Sequence, residues 1–430
     1  MRIARLVGCG AATLLLLGSA RPLPLHGQVP QTASPQSTFR ATTALVEVDV
    51  IVLDRQGRFV PGLVADDLTL LEDGKPQTIQ QFYMVTHGNG ASAMAATSVP
   101  FPTDGLTPDR ARRVFVLMFD ESSLSNESLF RVKFGAEAFI REQMGPGDVG
   151  GVFVNGTMYR GRLTTDKAEL LSAVRSVRPA FDNRQSLLAP FREFPRIPGE
   201  IDAVRIESGG YQVIEELGVQ ACRDDPFLCQ DAGGLQQVEN QIQKKARLYV
   251  RQARVLTNQT LHNLQYVASG LSRIPGRKTV VLMSEGFFVE ESRDVLQTIA
   301  AQASRGGTTI YSLDGRGNVA TSSPNPDVVK AQMARAETFD TGADGPAILT
   351  VGTGGLVVHG IDDMSRAFGM IARDTSTYYV IGYQPTNSVM DGKFRKIEVK
   401  PHVSGLDVRS RKGYLAVNLP PLLAIKSGGH

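Results

Sequence analysis

Two short stretches concentrate the oxygen chemistry of this 430-residue chain: Asp120-Glu121-Ser122-Ser123 and Ser284-Glu285-Gly286. Each sets a carboxylate beside a hydroxyl. If the two stretches meet, they form one oxygen-rich site. Two apolar runs lead into them. The run Val114-Phe115-Val116-Leu117-Met118-Phe119 stops at Asp120. A cationic turn, Gly276-Arg277-Lys278, leads into Thr279-Val280-Val281-Leu282-Met283, which stops at Ser284. Short, wholly apolar runs are buried parallel strands, and their carboxyl ends form the ligand edge of an α/β sheet.

The remaining residues do not compose a catalytic set. His87, His262, His359, His402 and His430 are scattered without metalloprotease spacing, and no Gly-x-Ser-x-Gly elbow occurs. Gly276-Arg277-Lys278-Thr279 precedes a strand, whereas a phosphate loop follows one and opens a helix. Asp224-Asp225 and Asp362-Asp363 read as caps and turns. The expectation is a protein that is not an enzyme. The formal charge of +3 is spread along the chain without a basic stripe, so nucleic acid is not an expected partner.

The amino terminus reads as a secretory signal peptide over residues 1–27. Arg2 and Arg5 precede an apolar run from Leu6 to Leu17 and the small residues Gly18-Ser19-Ala20. An uncleaved anchor is the other reading, although the run is short for a membrane span. With the signal removed, no later apolar run is long enough to cross a bilayer. The expected location is the periplasm or the exterior. Cys222 and Cys229, with six residues between them, suit a short-loop disulfide in an oxidising compartment, with two free thiols as the alternative.

Around the two apolar runs, strand and helix patterns alternate from residue 111 to 375. This predicts an α/β fold with a doubly wound, mostly parallel sheet. A helix is expected over 128–143, with Phe130, Phe134, Ala138 and Phe139 on its apolar side. Residues 179–235 read as an irregular, proline-broken insertion carrying the cysteines, with a helix over 202–217. A long amphipathic helix follows, with Ile242, Ala246, Tyr249, Ala253, Leu256, Leu264, Val267 and Leu271 at steps of mostly three and four. Residues 316–348 are polar and read as mobile. Gly352-Thr353-Gly354-Gly355 reads as a tight turn.

Both flanks are β. Val46, Val48, Val50 and Val52 alternate along one strand, and further strands are expected at 68–71 and 77–85. Tyr378–Tyr383, Phe394–Val399 and Leu406–Arg409 have strand composition after the α/β region. Three short strands do not stand alone. Segments 41–86 and 376–417 are therefore expected to combine into a small β-sandwich from N- and C-terminal strands, with the α/β region inserted. Segment 28–40 is expected to be disordered, 87–110 to be a linker, and 418–430 to be a disordered tail.

The order of these pieces resembles the VWFA-related family, exported acidobacterial proteins with a von Willebrand factor type A domain. The resemblance runs from Val48-Asp49-Val50 and Leu70-Leu71-Glu72-Asp73-Gly74, through Gly276-Arg277-Lys278 and Ser284-Glu285-Gly286. It ends at Tyr378-Tyr379-Val380-Ile381-Gly382-Tyr383 and Lys412-Gly413-Tyr414. It implies protein binding or assembly in the cell envelope through the sheet's carboxyl edge. Asp120, Ser122, Ser123, Ser284 and Glu285 are the expected contact edge.

Such domains often hold a cation with an Asp-x-Ser-x-Ser motif, a distant Thr and a second Asp. Hydroxyl-rich ligation leaves Mg²⁺ able to take a partner's carboxylate. Asp120 and Ser122 fit the first and third positions, Leu124 occupies the fifth, Glu285 replaces the second Asp, and Thr164 and Thr165 come too early. The site reads as degraded. No cofactor is the first expectation, with Asp120 and Glu285 as strand-end carboxylates accepting backbone N–H groups. The alternative is an adhesion protein binding a partner carboxylate through Mg²⁺ or another divalent cation, with Asp120, Ser122 and Glu285 as its metal residues.

Overall fold

The computed structural model describes residues 45–87, 113–181, 183–274, 276–287, 292–317 and 344–417. The expected signal peptide, the 28–40 segment, nearly all of the linker and the 418–430 tail lie outside the described residues.

The chain opens with β1 (Val46–Leu53), β2 (Leu68–Glu72), β3 (Lys75–Gln77) and β4 (Ile79–Thr86). It then forms the strands of the α/β region: β5 (Val114–Phe119), β6 (Val149–Val154), β7 (Thr157–Met158), β8 (Lys278–Ser284), β9 (Thr308–Asp314) and β10 (Val357–Val358). It returns to the first layer with β11 (Thr377–Tyr383), β12 (Phe394–Pro401), β13 (Asp407–Ser410) and β14 (Gly413–Leu415).

The central sheet has the order β10-β9-β8-β5-β6-β7 and is parallel except for the β6–β7 hairpin. Pleating sends alternate side chains of β5 to opposite faces. Phe115, Leu117 and Phe119 join a core with helices α1 (Asn126–Ala138) and α2 (Lys167–Ser176) and the helix Met364–Asp374. Val114, Val116 and Met118 join a second core with the long helix α6 (Gly234–Leu271), α7 (Arg293–Arg305) and the helix Asp344–Thr353. Helices on both faces make the sheet doubly wound.

The flanking strands form two antiparallel sheets, β13-β1-β11-β4 and β14-β12-β2-β3. Val46, Val48, Val50 and Val52 face Leu68, Leu70, Ile397 and Tyr414 across a common core, so the flanks make a sandwich. Ile51 is buried as well, on the opposite face with Tyr378 and Val380. The segment expected as one strand over 77–85 is two. The ladder breaks at Thr78, where the chain passes from one sheet of the sandwich to the other.

Three helical expectations differ in detail. In α1 the buried side is Leu129, Val132, Gly135 and Ala136, while Phe130 and Phe134 are 74% and 66% exposed. The smaller side chains face inward because α1 lies close on its neighbour: a Cβ at Gly135 would meet the Met364 Cβ at 2.6 Å. The last turn, Phe139–Gln143, widens to a π-helix.

The 179–235 insertion is helical, with α3 (Arg184–Leu188), α4 (Glu200–Glu207) and α5 (Tyr211–Asp224). The single helix expected over 202–217 is split at Gly209, whose φ of +86° ends α4. Residues Asp344–Thr353, expected to be mobile or a turn, are a helix, and Gly354 at φ +82° supplies the turn after it.

The insertion has its own core. Ile206, Ile214 and Ala221 pack on Val238, Ile242, Ala246 and Tyr249 of the first half of α6. The second half of α6 packs on the central sheet. One helix of 38 residues, about 57 Å long at 1.5 Å per residue, therefore joins the insertion to the sheet. The Cys222–Cys229 disulfide is formed at the insertion's far end, beside the start of α6.

Candidate functional site

β5 and β8 are neighbours in parallel register, with Phe119 opposite Met283. Equal strand ends place Asp120 and Ser284 side by side. The Asp120 N–H continues the ladder to the Met283 carbonyl at 3.0 Å. After Asp120 the chain turns tightly, with the Ser123 and Leu124 N–H groups both donating to the Asp120 carbonyl. Ser125 then caps α1, its hydroxyl accepting the Ser128 N–H at 3.2 Å.

The Asp120 carboxylate is 3% exposed and is filled by hydroxyl donors from three elements. Oδ1 accepts Ser122 Oγ at 2.7 Å and Thr260 Oγ1 at 2.9 Å, and Oδ2 accepts Ser284 Oγ at 2.8 Å. Ser123 Oγ lies 2.9 Å from Ser284 Oγ and accepts the Glu285 N–H at 3.2 Å. The Gly286 N–H donates to Ser284 Oγ at 3.0 Å. A buried carboxylate needs such donors, because removing it from water without them is costly.

Asp120, Ser122, Ser123 and Ser284 are thus brought together. Glu285 is on the same rim, but its Oε1 accepts the Ser125 N–H at 2.9 Å at the entry to α1. Glu285 acts as a strand-end carboxylate on a backbone N–H. Asp120 instead binds side-chain hydroxyls.

Thr260 was not singled out from the sequence. It sits on the buried side of α6, 1% exposed, beside the equally buried Thr257. The signal was the gap between Leu256 and Leu264, where a hydroxyl interrupts an otherwise apolar stripe. Through Thr260 the rim is tied to the helix that carries the insertion.

Glu121 closes the rim on the β6 side. Its Oε2 accepts the Asn155 N–H at 2.6 Å, while Oε1 is buried and without a hydrogen bond. Burial pushes this carboxyl above the usual range. The N–H groups of Asn155 and Arg178 pull it back, and the Asp120 charge raises it further. The start of α3 is held here too, with the Arg184 N–H donating to the Ser122 carbonyl at 2.6 Å.

The fit of a divalent cation is decided by access. The converging oxygens belong to Asp120, Ser122, Thr260 and Ser284. Asp120, Thr260 and Ser284 are 3%, 1% and 2% exposed. A cation that bridges to a partner must keep a coordination position open to solvent. Of the four, only the half-buried Ser122 reaches solvent, its hydroxyl is spent on Asp120, and Glu285, the expected second anion, is engaged at α1. The arrangement does not fit an adhesion-type cation. Among the described residues, no group of three or more His, Cys, Asp or Glu side chains is placed to hold a metal ion.

No protein-family model matches the chain, and no curated protein matches it. Among solved structures, the chain is similar to an aerotolerance-related membrane protein from Bacteroides fragilis, solved with multiple mutations to serines. The two are 11% identical, the match covers 62% of this chain and 98% of that one, and the TM-score is 0.27. A similarity of that size carries no argument about fold or function. No helix among the described residues is long and apolar enough to cross a membrane.

Proposed function

We propose that the chain is an exported, non-enzymatic protein-binding or envelope-assembly protein. In this reading a von Willebrand factor type A-like domain of the VWFA-related kind carries the binding edge, and the protein acts in the periplasm or outside the cell. One observation carries the reading: the carboxylate at the sheet's carboxyl edge is consumed in hydrogen bonds that lock β5, β8 and α6 together. Such a rim positions structure. The part it positions is the helical insertion, which presents exposed Tyr211 and Phe227 on a rigid, separately packed body. Exposed aromatic side chains on rigid elements are the usual anchors of protein interfaces.

The test is photo-crosslinking in exporting cells. A photoreactive residue replaces Tyr211, Phe227 or, as a control on the sandwich, the exposed Val403. The reading expects discrete protein adducts from Tyr211 or Phe227 and none from Val403. Adducts confined to Val403, or retention of the full chain in the cytoplasm on fractionation, would overturn it.

A further inference from the structure

The insertion ends in an acidic aromatic knob. Phe227 is 81% exposed and Leu228 37% exposed. Pro226 starts the short turn, the Asp225 carboxylate accepts the Phe227 N–H at 3.2 Å, and the Cys222–Cys229 disulfide closes the loop. Asp224 and Asp225 precede this turn and Asp231 follows it, with Arg223 as the cation in the stretch 222–231. Among the described residues, Asp224 accepts an amide hydrogen from Gln220, at 2.8 Å, and has no cation at ion-pair distance.

A second surface has the opposite character. Phe130 and Phe134 lie one turn apart on the outer side of α1. Lys133 lies between them in sequence. Its ammonium donates to the Val177 and Arg175 carbonyls at 2.8 and 3.1 Å. The Arg178 guanidinium donates to the same two carbonyls at 3.0 and 2.6 Å. Two cations thus share two neutral acceptors. Burial and the Arg178 charge hold the Lys133 ammonium below the usual lysine range. Glu137, the acid that acts on Lys133, is paired with Arg141 and Arg175. Among the described residues, neither Lys133 nor Arg178 has a carboxylate at ion-pair distance. Two exposed aromatic rings beside two such cations match the chemistry of the knob in both terms.

The two surfaces cannot meet within one molecule. Gly234 packs on the knob's Leu228 and Cys229, whereas Thr260 is at the rim, 260 − 234 = 26 residues later on the same helix. This is about 39 Å of helix. α1 starts at the rim and runs the other way, since the Gln143 carbonyl at its far end meets Arg113 at the start of β5. The knob stands well above the rim, whereas the cationic patch begins at the rim, where the Ala180 N–H meets the Glu121 carbonyl, and extends down α1.

We infer that the partner at these surfaces is a second copy of this chain, joined head to tail. The knob of Phe227, Asp224 and Asp225 in one copy docks on Phe130, Phe134, Lys133 and Arg178 in the next. The inference rests on the protein-binding reading and names the partner. A contact between two different surfaces leaves each copy with one of each free, so association continues into a chain or closes as a ring.

Sedimentation velocity on the full chain over a concentration series tests it, with circular dichroism as a check that each surface variant is folded. The wild type is expected to associate, and to do so more weakly as salt rises from about 0.05 M to about 0.5 M. Phe227→Asp, or Phe130→Asp with Phe134→Asp, should abolish association. Asp224→Lys with Asp225→Lys should weaken it about tenfold or more, and so should Lys133→Glu with Arg178→Glu. Mixing these last two proteins restores association, because each swapped surface then meets its complement. A wild type that stays monomeric, or association indifferent to these changes, or no recovery on mixing, overturns the inference. If the wild type is monomeric while Phe227 still crosslinks to another protein, self-assembly is wrong and the protein-binding reading stands.

Discussion

The two ends of the parallel sheet handle buried charge in opposite ways. At the carboxyl end, Asp120 is buried among hydroxyls and meets no cation in the network around it. At the amino end, cations enter the fold and are met by acids, aromatic rings and carbonyls from the sandwich and the helix ends. Arg277, just before β8, pairs its Nε with Asp49 of β1 at 3.2 Å, lies 4.2 Å from the Tyr378 ring centroid and reaches the Tyr311 hydroxyl at 3.4 Å. Arg409 of β13 pairs with Asp374, which also accepts the Tyr311 hydroxyl at 2.5 Å. Lys278 donates to the Ile274 and Gly306 carbonyls at 2.6 and 2.5 Å. The amino end is therefore where the sandwich is fastened to the α/β region, through charge. The carboxyl end fastens α6, and with it the insertion, through neutral donors on one anion.

The largest loss of stability is expected at the amino end. Arg277→Ala leaves Asp49 without its cation and Tyr378 without its stacking partner, and should cost about 3–5 kcal/mol in denaturant unfolding. A cost near zero would mean that the sandwich is held by its apolar core alone. At the carboxyl end, Asp120→Ala strands the hydroxyls of Ser122, Thr260 and Ser284. It should cost about 2–3 kcal/mol, with faster hydrogen exchange in the α6 amides around Thr260. Asp120→Asn keeps one carbonyl acceptor and should lose less.

A smaller effect separates the ends by pH. Burial pushes the Lys278 ammonium down to about 8, against the pull of Asp49. The unfolded chain then holds a proton that the folded chain releases between this value and the ordinary lysine range of about 10.4. Stability from this group therefore rises with pH across that window. Lys278→Met should flatten the rise and cost about 1–2 kcal/mol at neutral pH, because two carbonyls lose their donor. The smallest change is at Glu121. Its carboxyl is raised by burial, so its charge weakens the fold once the pH passes the unfolded carboxylate range. Glu121→Gln should raise the midpoint of thermal unfolding at pH 7 and leave it unchanged in acid. An equal gain at both pH values would show that the charge is not the cause.

The sequence exposed the elements better than their contacts. The runs 114–119 and 279–283 are legible because a strand buried on both faces has no polar alternation to confuse with anything else. Their acidic tips follow from strand ends alone. The sandwich was legible in the valines of β1, because one face is buried against a second sheet. Thr260 was hidden because its partner is 140 residues away, and the gap it leaves in the apolar stripe of α6 does not name that partner. Phe130 and Phe134 misled because aromatic side chains weigh heavily in any apolar pattern, whereas the close approach at Gly135 selects small residues for the inner side. The insertion looked irregular because prolines mark its breaks. What lies between them is short helices that pack on α6.

The carboxyl-edge site is a closed hydrogen-bonded lock and not a cation-bridging surface. Isothermal titration calorimetry of the full chain with Mg²⁺, Mn²⁺ and Ca²⁺ tests this most directly. A closed lock gives no saturable heat with any of the three. Saturable binding that disappears in Asp120→Ala would contradict it.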